Sequence, residues 1–316
     1  MRTRLALIVA LAVAGSAAAS NQDPPVALSD TEVLQLVSRD SRMTVPVVIA
    51  GAGPWPFVVD TGAQRTVISR ELANVLRLPR GRDVRLIAMT GASQVATAII
   101  PSLRVSTIGG GEIEAPALAA RHLGAPGLLG IDTLQDKKVS IDFAAQTMTV
   151  GPSSRRGRAR LRPRADEVVV QARNLLGQLV VTDATFRGRR IQVVLDTGTA
   201  ISVGNGAFHR LAGQHGTRPV AMTSVVGDQL QGAFKTVGDV AFGDVVIQNL
   251  PVAFADAAPF RQFRLEKRPA LLLGMDALAL FGQVDIDFPN RELRLRKPPA
   301  TLLAPSRRAN TVTAVP

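Results

Sequence analysis

Two short stretches of the sequence place an aspartate at the end of an apolar run, directly before a threonine and a glycine. Residues 57–69 read FVVDTGAQRTVIS, and residues 193–203 read VVLDTGTAISV. Each pattern is typical of a buried strand that ends in a tight turn, with Asp60 or Asp196 at the strand end. Two carboxylic acids presented in this way are candidates for general acid and base chemistry if the fold brings them together.

Further landmarks recur in the same order after each aspartate, which indicates an internal duplication. A glycine in a predicted hairpin tip lies 31 residues beyond each aspartate, at Gly91 and at Gly227. Later, GLLGIDTL at 127–134 corresponds to LLLGMDAL at 271–278. We therefore predict two similar halves built mostly from short strands, with short helices after the glycine of each later block.

The remaining segments frame these halves. We predict the following division of the chain: 1–19 a signal peptide, 20–42 an N-terminal segment, 43–151 an N-terminal lobe, 152–164 a basic linker, 165–297 a C-terminal lobe, and 298–316 a basic flexible tail. The linker contains six arginines between the two lobes, where few contacts are expected to cross.

The N-terminus has the pattern of a secretory signal peptide. Two arginines precede an apolar run from Leu5 to Gly15, and Ala17 to Ala19 supply a small-residue cleavage pattern. This run is shorter than a membrane-spanning helix. The chain has no cysteine, so its fold cannot depend on disulfides. We predict a periplasmic or secreted bacterial protein, with an uncleaved N-terminal anchor as the alternative.

Composition excludes several kinds of chemistry. Hydrophobic residues make up 46% of the chain and aromatic residues only 4%, which predicts an aliphatic core. Without cysteine there is no thiol catalysis, and the three histidines lack the spacing of metal ligands. The sequence also has no nucleophile elbow and no phosphate-binding glycine loop. We therefore predict neither a metal nor another cofactor.

The net charge of +12 comes largely from arginine runs in the linker and near the C-terminus. These runs lack interleaved aromatic residues and any nucleic-acid motif, so we predict no nucleic-acid partner. Their alternative use is weak contact with an anionic envelope surface.

The internal duplication predicts that the two aspartates lie close together and act as a pair. Two lobes related by a pseudo-twofold axis would bring Asp60 and Asp196 face to face, where the carboxyls share one proton. The ionised carboxylate can then activate a water molecule, and the protonated one can donate to a carbonyl oxygen. Thr61 and Thr197 could join the two turns by hydrogen bonds across the axis.

The duplicated apolar-apolar-Asp-Thr-Gly motif and the later apolar-apolar-Gly motif resemble the aspartic peptidases. The pattern is most similar to the retropepsin-like branch of bacterial aspartyl protease family proteins, with two half-sites fused in one chain. This resemblance implies an all-β fold of two closed lobes with a cleft between them. It also implies an extended protein or peptide substrate that is held under flaps. Because both half-sites lie in one chain, it implies that a monomer is active.

The resemblance assigns roles residue by residue. It implies catalytic aspartates at Asp60 and Asp196, active-site support from Thr61, Gly62, Thr197 and Gly198, flap and substrate contacts at Gly91 and Gly227, and structural glycines at Gly130 and Gly274. One departure is the complete lack of tyrosine, which removes the flap tyrosine of pepsins.

Two other functions stay open at this stage. A non-catalytic peptide-binding envelope protein could use the same fold to hold an extended peptide by strand addition. A structural envelope protein could act through its basic tail. Intact aspartates in both halves favour an aspartic endopeptidase over either alternative. Two further aspartates, Asp132 and Asp276, recur in the later blocks, where we expect them to cap a short helix or to bind an arginine.

Overall fold

We describe a computed structural model of the chain for residues 6–7, 32–35, 37–39, 42–105, 108–153, 166–175, 177–243, 245–297 and 311–314. These residues form 28 strands and six short helices, so the all-β fold class is confirmed. Among the helices in these ranges, none is long and apolar enough to cross a bilayer. Most of the predicted signal peptide and of the basic linker lies outside the described residues.

The elements of the first half follow in chain order: β1 Ala6–Leu7, β2 Glu32–Gln35, β3 Val37–Arg39, β4 Arg42–Ile49, β5 Ala52–Val59, β6 Val67–Ser69, α1 Arg70–Val75, β7 Val84–Ile87, β8 Ala92–Val95, β9 Thr97–Ile100, β10 Leu103–Val105, β11 Ile108–Gly110, β12 Ile113–Leu118, α2 Ala120–Leu123, β13 Gly127–Leu129, α3 Ile131–Leu134, β14 Lys137–Asp142 and β15 Thr147–Pro152.

The elements of the second half continue this order: β16 Glu167–Leu175, β17 Gln178–Phe186, β18 Arg189–Leu195, β19 Ser202–Gly204, α4 Gly206–Ala212, β20 Arg218–Thr223, β21 Gln229–Val237, β22 Val240–Phe242, β23 Val245–Gln248, β24 Leu250–Phe254, α5 Ala258–Gln262, β25 Ala270–Leu273, α6 Met275–Leu278, β26 Gln283–Asp287, β27 Glu292–Arg296 and β28 Thr311–Ala314.

The first lobe is a nine-stranded sheet in the order β11-β10-β4-β5-β13-β6-β12-β9, with β3 added beside β4. Strand β13 inserts between β5 and β6, parallel to β5 and antiparallel to β6. Strand β6 is in turn parallel to β12. This insertion fixes the end of β5, because the Asp60 amide donates to the Leu129 carbonyl at 3.0 Å.

The second lobe repeats this arrangement strand for strand. Strand β25 inserts between β18 and β19, parallel to β18 and antiparallel to β19, and β19 is parallel to β24. The Asp196 amide donates to the Leu273 carbonyl at 3.0 Å, as Asp60 does in the first lobe. The duplication expected from the sequence is therefore present in the strand pairing.

A sheet shared by both halves joins the lobes. Its strands run β2-β15-β14-β26-β27-β16, and the antiparallel pair of β14 and β26 connects one half to the other. Ser140 pairs with Asp285 near the middle of this connection. Lys138 adds an ion pair of 2.9 Å to Asp285. One apolar cluster extends across this sheet into both lobes, so the lobes share a core.

The short helices agree with the sequence expectations. Helix α1 begins after Ser69, whose hydroxyl accepts from the Leu72 amide at 3.0 Å, as an N-cap residue does. Helices α3 and α6 follow Gly130 and Gly274 directly.

Two terminal strands were not expected. Strand β28 lies within the segment predicted as a flexible tail, and it pairs with β23 at the sheet edge. Strand β1 pairs with β7 in parallel. Because β1 belongs to the predicted signal peptide, cleavage after Ala19 would remove it.

Because the lobes share a core, a destabilising substitution in the second half should also lower the stability of the first half. Ile286 is buried on β26 opposite Val139 of β14. We expect Ile286→Ala to lower the free energy of unfolding by about 2–4 kcal/mol, because it leaves a cavity. Urea unfolding followed by the fluorescence of Trp55, the single tryptophan, measures this from the first lobe.

The control for that experiment is Val75→Ala, at a side chain that is 69% exposed. It should change the free energy of unfolding by less than about 0.5 kcal/mol. Circular dichroism follows unfolding of the whole chain in the same samples. If Ile286→Ala shifted the circular dichroism transition but not the Trp55 fluorescence transition, the lobes would unfold independently, which would contradict a shared core.

Candidate active site

The two Asp-Thr-Gly turns meet at the junction of the lobes. The Asp60 and Asp196 side chains are both fully buried. A Cβ atom built on Gly62 would lie 2.5 Å from the Asp196 Oδ1 atom, and one built on Gly198 would overlap the Asp60 carboxylate. Each carboxylate therefore packs against the glycine of the opposite turn. This close approach requires glycine, since any side chain would displace the acid.

Backbone amides orient each carboxylate. The Gly62 and Ala63 amides both donate to Asp60 Oδ1 at 2.9 Å, and the Gly198 amide donates to Asp196 Oδ1 at 3.0 Å. The two Oδ2 atoms make no hydrogen bond to the part of the chain that the structure describes. Each acid is thus fixed through one oxygen and presents the other.

Thr61 and Thr197 connect the two turns. The Thr61 amide donates to Thr197 Oγ1 at 3.0 Å, and the Thr197 amide donates to Thr61 Oγ1 at 3.1 Å. Each hydroxyl also donates to the opposite strand, to Leu195 O at 3.1 Å and to Val59 O at 2.7 Å. These reciprocal bonds hold the aspartates in register across the pseudo-twofold axis.

Burial controls the acidity of the pair. It raises the pKa of Asp60 to about 7, against smaller opposing effects of the Gly62 and Ala63 amides. Burial also raises the pKa of Asp196 well above its ordinary value, and the neighbouring charge of Asp60 raises it further. The two acids therefore titrate as a coupled pair, in two steps that belong to the pair.

A buried arginine distinguishes the two half-sites. Arg42 and Gln178 occupy equivalent positions at the start of β4 and β17, and each is only 1% exposed. Arg42 donates to Leu123 O at 2.7 Å, whereas the Gln178 amide group donates to Gly62 O in the Asp60 turn. The positive charge of Arg42 lowers the pKa of both aspartates.

Sequence reasoning missed Arg42 and Gln178. An arginine or a glutamine at the start of a strand usually lies at the surface. The available signal was that the two residues hold the same position in the two halves. Each lies two residues before the first residue that pairs with the strand ending at the aspartate.

Gly130 and Gly274 lie directly behind the two turns. The Gly130 amide donates to the Thr66 hydroxyl at 3.1 Å, and the Gly274 amide donates to the Ser202 hydroxyl at 3.0 Å. A Cβ atom on Gly274 would lie 2.8 Å from the Ile201 backbone, and Gly130 is packed equally closely. These glycines thus brace the loop that follows each aspartate.

The Asp132 and Asp276 side chains lock the same loops. Each carboxylate accepts a hydroxyl at 2.8 Å, from Thr66 in the first half and from Ser202 in the second. Asp276 also accepts the Ala277 amide at 2.9 Å, and burial raises its pKa to about 6. The expected structural role is borne out by these bonds, although the partner is a hydroxyl in the loop and not an arginine.

Gly91 and Gly227 lie at the tips of two hairpins, which we call the first flap (84–95) and the second flap (218–237). The first flap turns through residues 88–91, where Ala88 and Gly91 exchange backbone hydrogen bonds. The second flap turns through residues 224–228, where the Gly227 amide donates to Ser224 O at 2.8 Å. Both glycines have positive φ angles, of 149° and 96°.

Each flap crosses to the opposite lobe. Ile87 and Met89 of the first flap join an apolar cluster of the second lobe, and Val225 of the second flap joins one of the first lobe. The Ala258 amide donates to Met89 O at 2.8 Å. Thr90 donates to the Asp228 carboxylate at 3.3 Å, which links the two tips. These contacts tie each flap to the opposite lobe and join the two tips to each other.

No metal centre accompanies this site in the described part of the chain. No group of three or more histidine, aspartate or glutamate side chains there could hold a metal ion.

A two-lobed β fold whose buried Asp-Thr-Gly turns face each other defines the aspartic protease class. Residues 45–136 match the family model described as "gag-polyprotein putative aspartyl protease", and residues 182–277 match the model described as "Aspartyl protease". Together the two segments cover more than half of the chain. The protein belongs to the aspartic proteases, with one family domain in each half.

Comparison with solved structures gives a similar protein from Rickettsia conorii, described as a retropepsin-like aspartic protease. It is 18% identical, with a TM-score of 0.32, and the match covers 47% of this chain and 93% of that one. No curated protein sequence matches this chain.

The threonine bonds predict a specific loss of stability. Thr197→Val keeps the shape of the side chain but leaves the Thr61 amide and Val59 O without their buried partner. We expect the free energy of unfolding to fall by about 1–3 kcal/mol in urea denaturation. Thr197→Ser retains the hydroxyl and should cost clearly less. Equal losses in both variants would show that the methyl group matters and the bonds do not.

Burial of the acid pair predicts an unusual dependence of stability on pH. Because the folded pKa values are raised, the folded protein keeps protons that the unfolded chain releases from about pH 4 upwards. The free energy of unfolding should therefore fall as the pH rises from about 4 to 7. Asp196→Asn removes one of these groups, so its stability relative to the wild type should increase as the pH rises over this range.

Urea denaturation at a series of pH values measures this difference. Asp83→Asn, at an exposed carboxylate, is the matched control and should parallel the wild type. A constant difference between Asp196→Asn and the wild type from pH 4 to 8 would contradict the raised pKa values.

Proposed function

We propose that the protein is an aspartic endopeptidase that hydrolyses peptide bonds in extended polypeptide substrates. The observation that carries this proposal is the pair of buried carboxylates, each fixed through Oδ1 by backbone amides and each presenting an unbonded Oδ2. Burial of the pair favours a state with one shared proton, which is the state that amide hydrolysis requires.

The pair with one shared proton contains both groups that amide hydrolysis needs. In the assignment that we propose, ionised Asp60 acts as the general base on a water molecule held between the carboxylates. Asp196 keeps its proton and donates a hydrogen bond to the scissile carbonyl oxygen. As the water attacks, its proton passes to Asp60, and the developing oxyanion is stabilised by Asp196. A proton returned to the leaving nitrogen completes cleavage of the C–N bond.

Access to this pair requires the flaps to open. Both carboxylates are buried, and the flaps are held by the Met89–Ala258 and Thr90–Asp228 contacts, which we propose a substrate displaces on its way to the pair. Once bound, an extended peptide under the flaps would be shielded from bulk water. Both half-sites lie in one chain, and we propose that a monomer, exported to the periplasm or beyond, is active.

Loss of either acid should abolish cleavage. We expect Asp60→Asn and Asp196→Asn each to reduce kcat/KM by at least about 10³-fold, because neither variant can share a proton in the required way. Cleavage of a diverse peptide library between pH 3 and 8, read by mass spectrometry, measures the effect. The control Asp83→Asn should retain wild-type activity.

Two results would overturn the proposal. One is activity in a single aspartate variant. The other is a folded wild-type protein that cleaves no peptide, which would favour the non-catalytic peptide-binding alternative.

Arg42 should set the acid limb of the pH profile. Its positive charge favours the ionised form of the pair, so Arg42→Gln should raise the pKa of that limb by up to about one pH unit. Glutamine is the residue at the equivalent position of the other half. Arg42→Lys keeps the charge, so the pKa of its acid limb should match that of the wild type. A limb that moved equally in both variants would show that Arg42 acts through packing and not through charge.

A further inference from the structure

A cavity of about 680 Å³ lies between the first flap and the second lobe. The flap contributes Ile87 and Gly91, and the second lobe contributes Leu175 and Phe263. Ile87 and Phe263 are buried in the same apolar cluster, so these walls are fixed by packing. The cavity therefore has a firm apolar base, as ligand-binding pockets commonly do.

Three arginines line this cavity. Arg85 comes from the first flap, and Arg261 and Arg264 come from α5 and the turn that follows it. All three are exposed. No carboxylate residue lines the cavity, and in the described part of the chain no ion pair involves these three side chains. The charge of the lining is strongly positive, and no lining group offsets it.

The cavity is connected to the catalytic pair through two short routes. Leu175 ends β16, and three residues later Gln178 donates to Gly62 O in the Asp60 turn. On the other side, Ala258 at the start of α5 donates to Met89 O near the tip of the first flap. A peptide lying under that flap and across the aspartates would thus pass beside the cavity.

From these observations we infer that the cavity is a specificity pocket for an acidic side chain of the substrate. This inference rests on the proposed function, since it concerns the polypeptide presented to the Asp60–Asp196 pair. The carboxylate of a glutamate or aspartate would bind the guanidiniums of Arg261 and Arg264 from the second lobe and of Arg85 from the flap. Its aliphatic part would lie on Ile87 and Phe263. The net charge of +12 would also attract acidic polypeptides from a distance.

Contacts from both sides also give the pocket a role in closure. Because Arg85 belongs to the flap and Arg261 to the opposite lobe, one carboxylate would bridge the two when the flap is closed. The ion pairs of an acidic substrate with both arginines would thereby compensate for contacts between the flap and the second lobe that are broken when the substrate enters.

The test uses matched peptides that differ by one acid or its amide. A cleaved peptide is resynthesised with an amidated C-terminus, and each position on both sides of the scissile bond is changed in turn to Glu and to Gln. We expect one position to favour Glu over Gln by about tenfold or more in kcat/KM, because charge-assisted hydrogen bonds are lost with the amide.

Arginine variants identify the pocket. Arg261→Gln and Arg264→Gln should each reduce this preference, and the double variant should abolish it. Arg264→Glu should shift the preference at the same position towards Lys. The matched control is Arg190→Gln, at an exposed arginine on β18, and it should leave the preference unchanged.

Three results would overturn the inference. The first is an equal preference for Glu at every position, which would indicate general attraction to a basic protein. The second is a preference that survives in the Arg261→Gln/Arg264→Gln double variant. The third is an equal gain from a free C-terminal carboxylate placed at the preferred position, which would assign the pocket to chain ends.

A binding arm separates this inference from the proposed function. Library peptides that contain Glu, and their Gln counterparts, are titrated against the Asp60→Asn variant by fluorescence anisotropy, whether or not the wild type cleaves them. Tighter binding of the Glu peptide, with no cleavage of any peptide by the wild type, would support the pocket and refute the peptidase. Cleavage by the wild type without any preference for Glu would support the peptidase and refute the pocket.

Discussion

Two carboxylates that pack against each other's turn are the constraint on which the rest of the structure depends. Asp60 lies over Gly198 and Asp196 over Gly62, at a spacing that only glycine allows. Neither acid is solvated, and both cannot carry a full charge at low cost. The reciprocal threonine bonds, the bracing glycines and the loop-locking Asp132 and Asp276 all serve to hold this otherwise unfavourable arrangement in place. The inserted strands β13 and β25 supply the framework for these contacts.

The chemistry follows from departures from perfect symmetry. Burial raises the pKa of both acids, but the surroundings of the two half-sites differ. Arg42 and Gln178 occupy equivalent positions with different charges. The first flap also lines an arginine-rich cavity. One chain with two diverged halves can therefore place two different environments around its acid pair.

The sequence predicted the features that are local or duplicated. The Asp-Thr-Gly turns, the hairpins at Gly91 and Gly227 and the helices after Gly130 and Gly274 all follow from short patterns. The shared sheet was not predicted, because nothing in the alternation of β14 and β26 specifies which distant strand each will pair with. The crossing of the flaps and the burial of Arg42 are also products of the lobe-to-lobe geometry. Residue type alone places an arginine at the surface, and only the assembled fold encloses it.

The most direct test of the shared proton is a ¹³C NMR titration of protein labelled at the aspartate carboxyl carbons, compared with the Asp60→Asn variant. We predict that the two carboxyl resonances titrate as a coupled pair well above their ordinary range, with a step near pH 7, and that one of them is missing from the variant. The remaining resonance should titrate at a lower pH in the variant than in the wild type, because the neighbouring charge is gone. If both acids instead titrated independently near their ordinary value of about 4, the carboxylates would not form a coupled, buried pair and the proposed chemistry would lose its basis.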